Sequence, residues 1–218
     1  MEINRQTILN LLESKSKLKQ DVSQETQKVF LKLKSTIENE ILGIKPSIDD
    51  DRIRLYSEEK SDNELKVMIG SDALVFQMHT NVFKLQDEHE AWKGNYLKDN
   101  PNNGYFGIIN IYNFLADSFI YNRLNDSGFL IGRIFINHES HILVEGSGQL
   151  GFLFKDPETN TSDPEILKHI IQCSFSNALD FDLISPPYEV IEEVSLAQIL
   201  EISADIQMKT SKRMGFKQ

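Results

Sequence analysis

Apolar residues in the first forty-odd positions recur on one side of a helix. Leu11, Leu18, Val22, Val29, Leu33 and Ile37 are separated by 7, 4, 7, 4 and 4 positions, which holds them on one face at a 3.6-residue period. The stripe is not a coiled-coil heptad, because Lys15, Glu25 and Lys32 stand where a seam requires apolar side chains. Asp21 with Gln24 offers a capping box at which the stretch would divide into two helices. Gly43 and Pro46 predict the stop. Such a stripe is buried on the chain's own domain by default, or on another subunit. Leu11, Leu18, Val22, Val29 and Leu33 are accordingly the candidate partner-binding residues.

From Arg52 to Phe154 the period changes to two. Strands are predicted at Arg52–Tyr56, Leu65–Ile69, Ala73–His79, Tyr105–Phe114, Phe129–Ile136, His141–Glu145 and Leu150–Phe154, with Phe119–Asn122 as a continuation beyond a bend. Glu58 to Glu64 reads as a charged turn, Gly70-Ser-Asp as a tight connection, and Asp87 to Asn103 as a polar loop carrying Trp92. Pro164 sits at a first helical position, and Ile166, Leu167, Ile170 and Ile171 supply a buried face through Leu179. Ser185-Pro-Pro breaks the chain before a last amphipathic helix, Val194 to Met208. Strands joined by turns, with helices before and after, predict an α+β fold. It should hold an antiparallel sheet of about six to eight strands, a long N-terminal helix or two, and two C-terminal helices packed on the sheet. Residues 1–44 form the helical segment, 45–208 the α+β domain and 209–218 a basic tail.

Charge narrows the partners. The net charge of −10 is unevenly spread: residues 1–48 carry +2, residues 49–208 carry −16, and the last ten carry +4. An acidic body repels phosphates, which argues against broad nucleic-acid binding. The longest uncharged run, Pro101 to Ala116, is too short and too rich in Asn to span a membrane. One cysteine, Cys173, and no basic-then-apolar leader at Met1 to Leu12 fit a reducing, cytoplasmic setting.

Two motifs carry candidate chemistry. His141-Ile-Leu-Val-Glu-Gly-Ser-Gly-Gln-Leu-Gly151 contains G-x-G-x-x-G after a strand, and Phe181-Asp-Leu-Ile-Ser-Pro-Pro-Tyr188 resembles the Pro-Pro-Tyr loop of S-adenosylmethionine-dependent amino-methyltransferases. The resemblance implies a cofactor on the glycine turn and a target amine at the second loop. A glycine turn of that kind opens a helix, whereas a strand is predicted after Gly151, and the two motifs stand too close for intervening βαβ units. His138-Glu-Ser-His141 places two imidazoles at a predicted hairpin turn, with Glu139 and Glu145 nearby, a donor set suited to a divalent metal. Further ligands would have to come from His79, Glu88, His89 or Glu90. Cys173 stands among Ile170, Ile171 and Phe175 and reads as a buried structural thiol.

An aromatic and amide-rich stretch of the sheet completes the candidates. Tyr112, Asn113, Tyr121 and Arg123 are the expected ligand-binding residues of a pocket on one sheet face. No coherent catalytic set emerges and no cofactor is named by the residues. The expectation is a cytoplasmic binding or interaction protein that meets a protein partner or itself through the N-terminal helix. The alternatives are a metal-dependent hydrolase or nucleotide-processing enzyme using His138 and His141, and, after it, a methyltransferase.

Overall fold

The apolar stripe folds as one long helical rod. In the computed structural model, which describes residues 4–185, 187–188 and 195–197, helix α1 (Arg5–Leu11) runs through a π turn (Leu12–Ser16) into α2 (Lys17–Ile44). Asn4 caps the start, its side chain accepting the Thr7 N–H at 2.9 Å. Asp21 lies inside α2 and divides nothing. The stop is as expected: a 3₁₀ turn, Lys45–Ser47, holds Pro46 just beyond Ile44.

Seven antiparallel strands follow: β1 (Leu55–Ser61), β2 (Glu64–Ile69), β3 (Asp72–Met78), β4 (Phe83–Lys84), β5 (Tyr105–Leu115), β6 (Phe129–Ile136) and β7 (Ile142–Gly146). The sheet order is β1-β2-β3-β5-β6-β7, with β4 paired to the start of β5. Three short helices, α3 (Asn95–Asp99), α4 (Ala116–Ile120) and α5 (Gln149–Leu153), punctuate the connections, and α6 (Pro164–Leu179) closes the core. No helix among the described residues is long and apolar enough to cross a membrane.

Alternation sorts the sheet into two faces. The inner face, including Val67, Phe76, Ile111, Ile134 and Val144, packs on Val29, Phe30, Leu33 and Ile37 of α2 and on Ile170 and Phe175 of α6. On the outer face Phe106, Ile108, Phe135 and Leu143 form a smaller core with Leu85 and Leu97 of the β4–β5 connection. β5 is therefore covered on both sides. Its Gly107 is where α2 crosses: a Cβ there would lie 2.0 Å from Thr26 Oγ1. Thr26 is itself fixed, its hydroxyl donating to Val22 O at 2.7 Å.

Several predicted elements differ. The charged stretch Glu58-Glu59-Lys60 belongs to β1 instead of a turn, because an edge strand tolerates charge. Glu58 pairs there with Lys60 and Lys66 at 2.8 and 2.9 Å, and Glu59 with the buried Lys34 of α2. Leu150–Phe154, expected as a strand, is mostly the one-turn helix α5, and Phe119 lies in α4. The predicted helix Val194–Met208 lies outside the described residues except 195–197, and the basic tail wholly so.

Gly107→Ala should lower stability by about 1–3 kcal/mol through overpacking, measured by urea denaturation. Adding Thr26→Ala should recover part of the loss; an unchanged urea midpoint for Gly107→Ala would refute the close crossing.

Candidate functional site

The N-terminal stripe is divided between two environments. Val22, Val29 and Leu33 are fully buried in the chain's own core, Leu18 is half-buried, and Leu11 is exposed. The π turn explains the division. Its i→i+5 bonding takes up one residue more than an α turn, which rotates everything before it by roughly 100° about the helix axis. Leu11 would share the face of Val22 on an unbroken α-helix; here it turns away. Residues Arg5 to Ser16 bury no side chain, and Ile8, Leu9, Leu11 and Leu12 are 41–55% exposed.

The expected aromatic pocket residues do not share one surface. Tyr112 projects from the outer face of β5, opposite Leu130, while Asn113 points into the buried inner face beside Phe129. Tyr121 and Arg123 lie beyond α4, where the guanidinium stacks over the Tyr121 ring at 5.4 Å and pairs with Asp117 and Asp126 at 3.6 and 3.7 Å. That cluster ties off the β5–β6 connection.

The His-x-x-His turn is organised by a side chain that sequence reasoning passed over. Asn137, fully buried, accepts the Glu139 and His141 backbone N–H groups at 3.0 Å each and donates to Tyr96 Oη at 2.8 Å. Tyr96 in turn donates to Glu139 Oε2 at 2.5 Å, and Asn103 donates to the same oxygen at 3.0 Å. His141 stacks on Tyr96 with centroids 4.5 Å apart and bonds Pro157 O through Nδ1 at 2.5 Å. On the other side Ser140 donates to Glu25 of α2. Burial raises the Glu25 pKa, but the Ser140 and Lys28 hydrogen bonds outweigh it and leave the carboxyl below its ordinary range. Desolvation, helped by Glu139, pushes the Tyr96 phenol well above its usual value. His138 keeps a buried Nδ1 without a hydrogen-bond partner among the described residues. Among those residues no three His, Cys, Asp or Glu side chains converge as metal ligands. His141 thus stands in a lock that fastens the β4–β5 connection and α2 to the β6–β7 turn, and no side-chain hydrogen bond among the described residues brings His138 into it.

The glycine motif is a packing device. After β7, Gly148 takes φ +56° and α5 folds back so closely that a Cβ on Gly151 would lie 2.0 Å from Gly146 O. Gly146 and Gly132 face each other across β6 and β7 and leave room for the Leu150 side chain. A helix does follow the turn, correcting the expected strand, but it is five residues long and leaves an antiparallel edge strand. Cys173 is buried, which raises its thiol pKa, and its sulfur lies 3.6 Å from Gln149 Oε1.

A hollow of about 720 Å³ lies over β7, between the residues around His89 and those around Asp156. A second, of about 190 Å³, adjoins it under Phe83 and above Ile108 and Phe135. His89 and Glu145 line both. The imidazole Nδ1 accepts the Ala91 N–H at 3.1 Å, so Nε2 carries the proton and faces Glu145 Oε1 at 3.3 Å. Arg133, the cross-strand neighbour of Glu145, donates to its other oxygen at 3.3 Å. His89 and Glu145 were foreseen only as extra ligands for the histidine turn, and Arg133 was not foreseen. The available signal was one charge in each of two otherwise apolar strands.

Comparison of the chain with protein-family models, with curated proteins and with solved structures found no match.

Three measurements test these assignments. A raised Tyr96 pKa means that the fold prefers the protonated phenol. Stability from this group is complete below the unfolded value of 10.0 and declines as pH rises above it. Tyr96→Phe should flatten that alkaline decline in urea midpoints, and an unchanged pH profile would contradict the lock. Gly151→Ala should cost about 1–3 kcal/mol by overpacking, while S-adenosylmethionine should leave the wild-type Tm unmoved. A cofactor-dependent rise in Tm would make the turn a binding site.

Proposed function

We propose that this chain is an interaction protein that self-associates through its N-terminal helical arm. The observation that supports this reading is the segment Arg5–Ser16, which leaves the body without burying one of its side chains and carries Ile8, Leu11 and Leu12 on one side with Leu9 at its edge. Clustered exposed apolar side chains mark interaction surfaces.

Charge selects the partner. Residues 4–20 hold Arg5, Lys15, Lys17 and Lys19 against Glu13 alone, whereas residues 49–208 carry −16. Two arms laid side by side would bring like charges together. An arm on the acidic body of a second copy meets opposite charge, and the reciprocal exchange closes a two-fold dimer.

Native mass spectrometry and sedimentation of the full chain should show a dimer at tens of micromolar. Replacing Leu11 and Leu12 with Glu should give a monomer with an unaltered far-ultraviolet spectrum. Higher salt should weaken the dimer. A wild-type chain that stays monomeric, or a variant of unchanged mass, would remove the self-association reading.

A further inference from the structure

We propose a second site, independent of the arm: the junction of the two hollows beside β7 binds a free amino acid with an apolar side chain. The smaller hollow, about 190 Å³, has Phe83, Leu85, Ile108 and Phe135 as its apolar wall, with Lys84 and Gln86 also lining it. That leaves room for one aliphatic or aromatic side chain. The mouth presents both signs of charge at fixed positions. Arg133 engages Glu145 through one terminal nitrogen only, so the edge formed by Nε and its other terminal nitrogen remains open to a carboxylate in the bidentate manner that suits guanidinium. Glu145, 41% exposed, offers carboxylate oxygens to an ammonium, and Glu88 of the larger hollow adds a further carboxylate.

Fixity distinguishes this junction from a loose surface pair. Arg133 and Glu145 are register partners on adjacent strands, and the guanidinium lies 5.8 Å from the Phe135 ring centroid. His89 is held by the Ala91 backbone while it faces the remaining oxygen of Glu145. The apolar wall, the guanidinium and the carboxylate thus belong to one rigid patch of sheet and its covering loop. A zwitterion with an apolar side chain engages all three; a simple anion or a simple amine engages only one of the two charges.

The only tryptophan supplies the readout. Trp92 lies between Ala91 and Lys93, which line the larger hollow, and Lys84 of the smaller one lies over its ring at 5.8 Å. L-phenylalanine and L-leucine, titrated into the full chain, should change Trp92 emission saturably, with calorimetry as a second measure. 3-Phenylpropionate and 2-phenylethylamine, each lacking one charge, should bind at least about tenfold more weakly, since a site built for a polar group rejects analogues without it. Glycine, which has no side chain for the hollow, should give no saturable change. Arg133→Gln and Glu145→Gln should each weaken L-phenylalanine binding to a similar degree at unchanged Tm. The proposal falls if neither amino acid binds saturably, if an analogue missing a charge binds equally well, or if both folded variants bind as wild type. Should a variant fail to fold, the analogue series decides alone.

Discussion

The described fold is arranged around the crossing of α2 over β5. Thr26 rests on Gly107, a position where any side chain would strike the threonine hydroxyl. At that separation the helix lays Val29, Phe30, Leu33 and Ile37 on the inner face of the sheet. Even the charged member of the buried face is satisfied. Lys34 reaches the β1–β2 turn, where its ammonium donates to Asp62 O at 3.0 Å, to Ser61 O at 3.3 Å and to Glu59, as a buried charge requires. With the inner face sealed in this way, the outer face of β5 becomes the floor for the β4–β5 connection, and the hollows beside β7 lie at its edge.

A second regularity concerns the side chains that look reactive. The His141 imidazole, two amides, a carboxylate and a phenol gather at the β6–β7 turn, yet their hydrogen bonds run to one another and to backbone. Asn137 spends both ends of its amide on the turn and its neighbours. Such a network rigidifies and specifies local structure. The same economy governs the glycines after β7, whose spacing imitates a nucleotide-binding turn while serving the contact of α5 with its own strand. By contrast, the arm leaves apolar side chains exposed, and the Arg133 guanidinium engages Glu145 through one terminal nitrogen beside a small hollow.

Much of the fold was legible from local pattern, and the reason is periodicity. Strand β6 and helix α6 fall on the residues their patterns predicted, because each has one face wholly buried and a turn residue or a proline at its boundary. The pattern misled where an element is not paid in burial. Glu58-Glu59-Lys60 looked like a turn because an edge strand can carry charge on both faces, and Leu150–Phe154 looked like a strand because five residues cannot display a helical period. Within the candidate site, one charge in each of two apolar strands was visible, but nothing local told that Arg133, Glu145 and His89 would meet.

By itself, then, the sequence determined the α+β class, the antiparallel meander, the N-terminal helix and its apolar stripe. These follow from which side chains avoid water at a period of two or 3.6. Only the tertiary structure decided which part of that stripe belongs to the core and which to the arm, because a single π turn shifts the phase by one residue without changing composition. It also decided that Tyr112 and Asn113 face opposite sides of the sheet, that His141 serves a lock, and that His89 comes to stand against Glu145. These outcomes depend on register and long-range contact, to which hydrophobic patterning along a chain is blind.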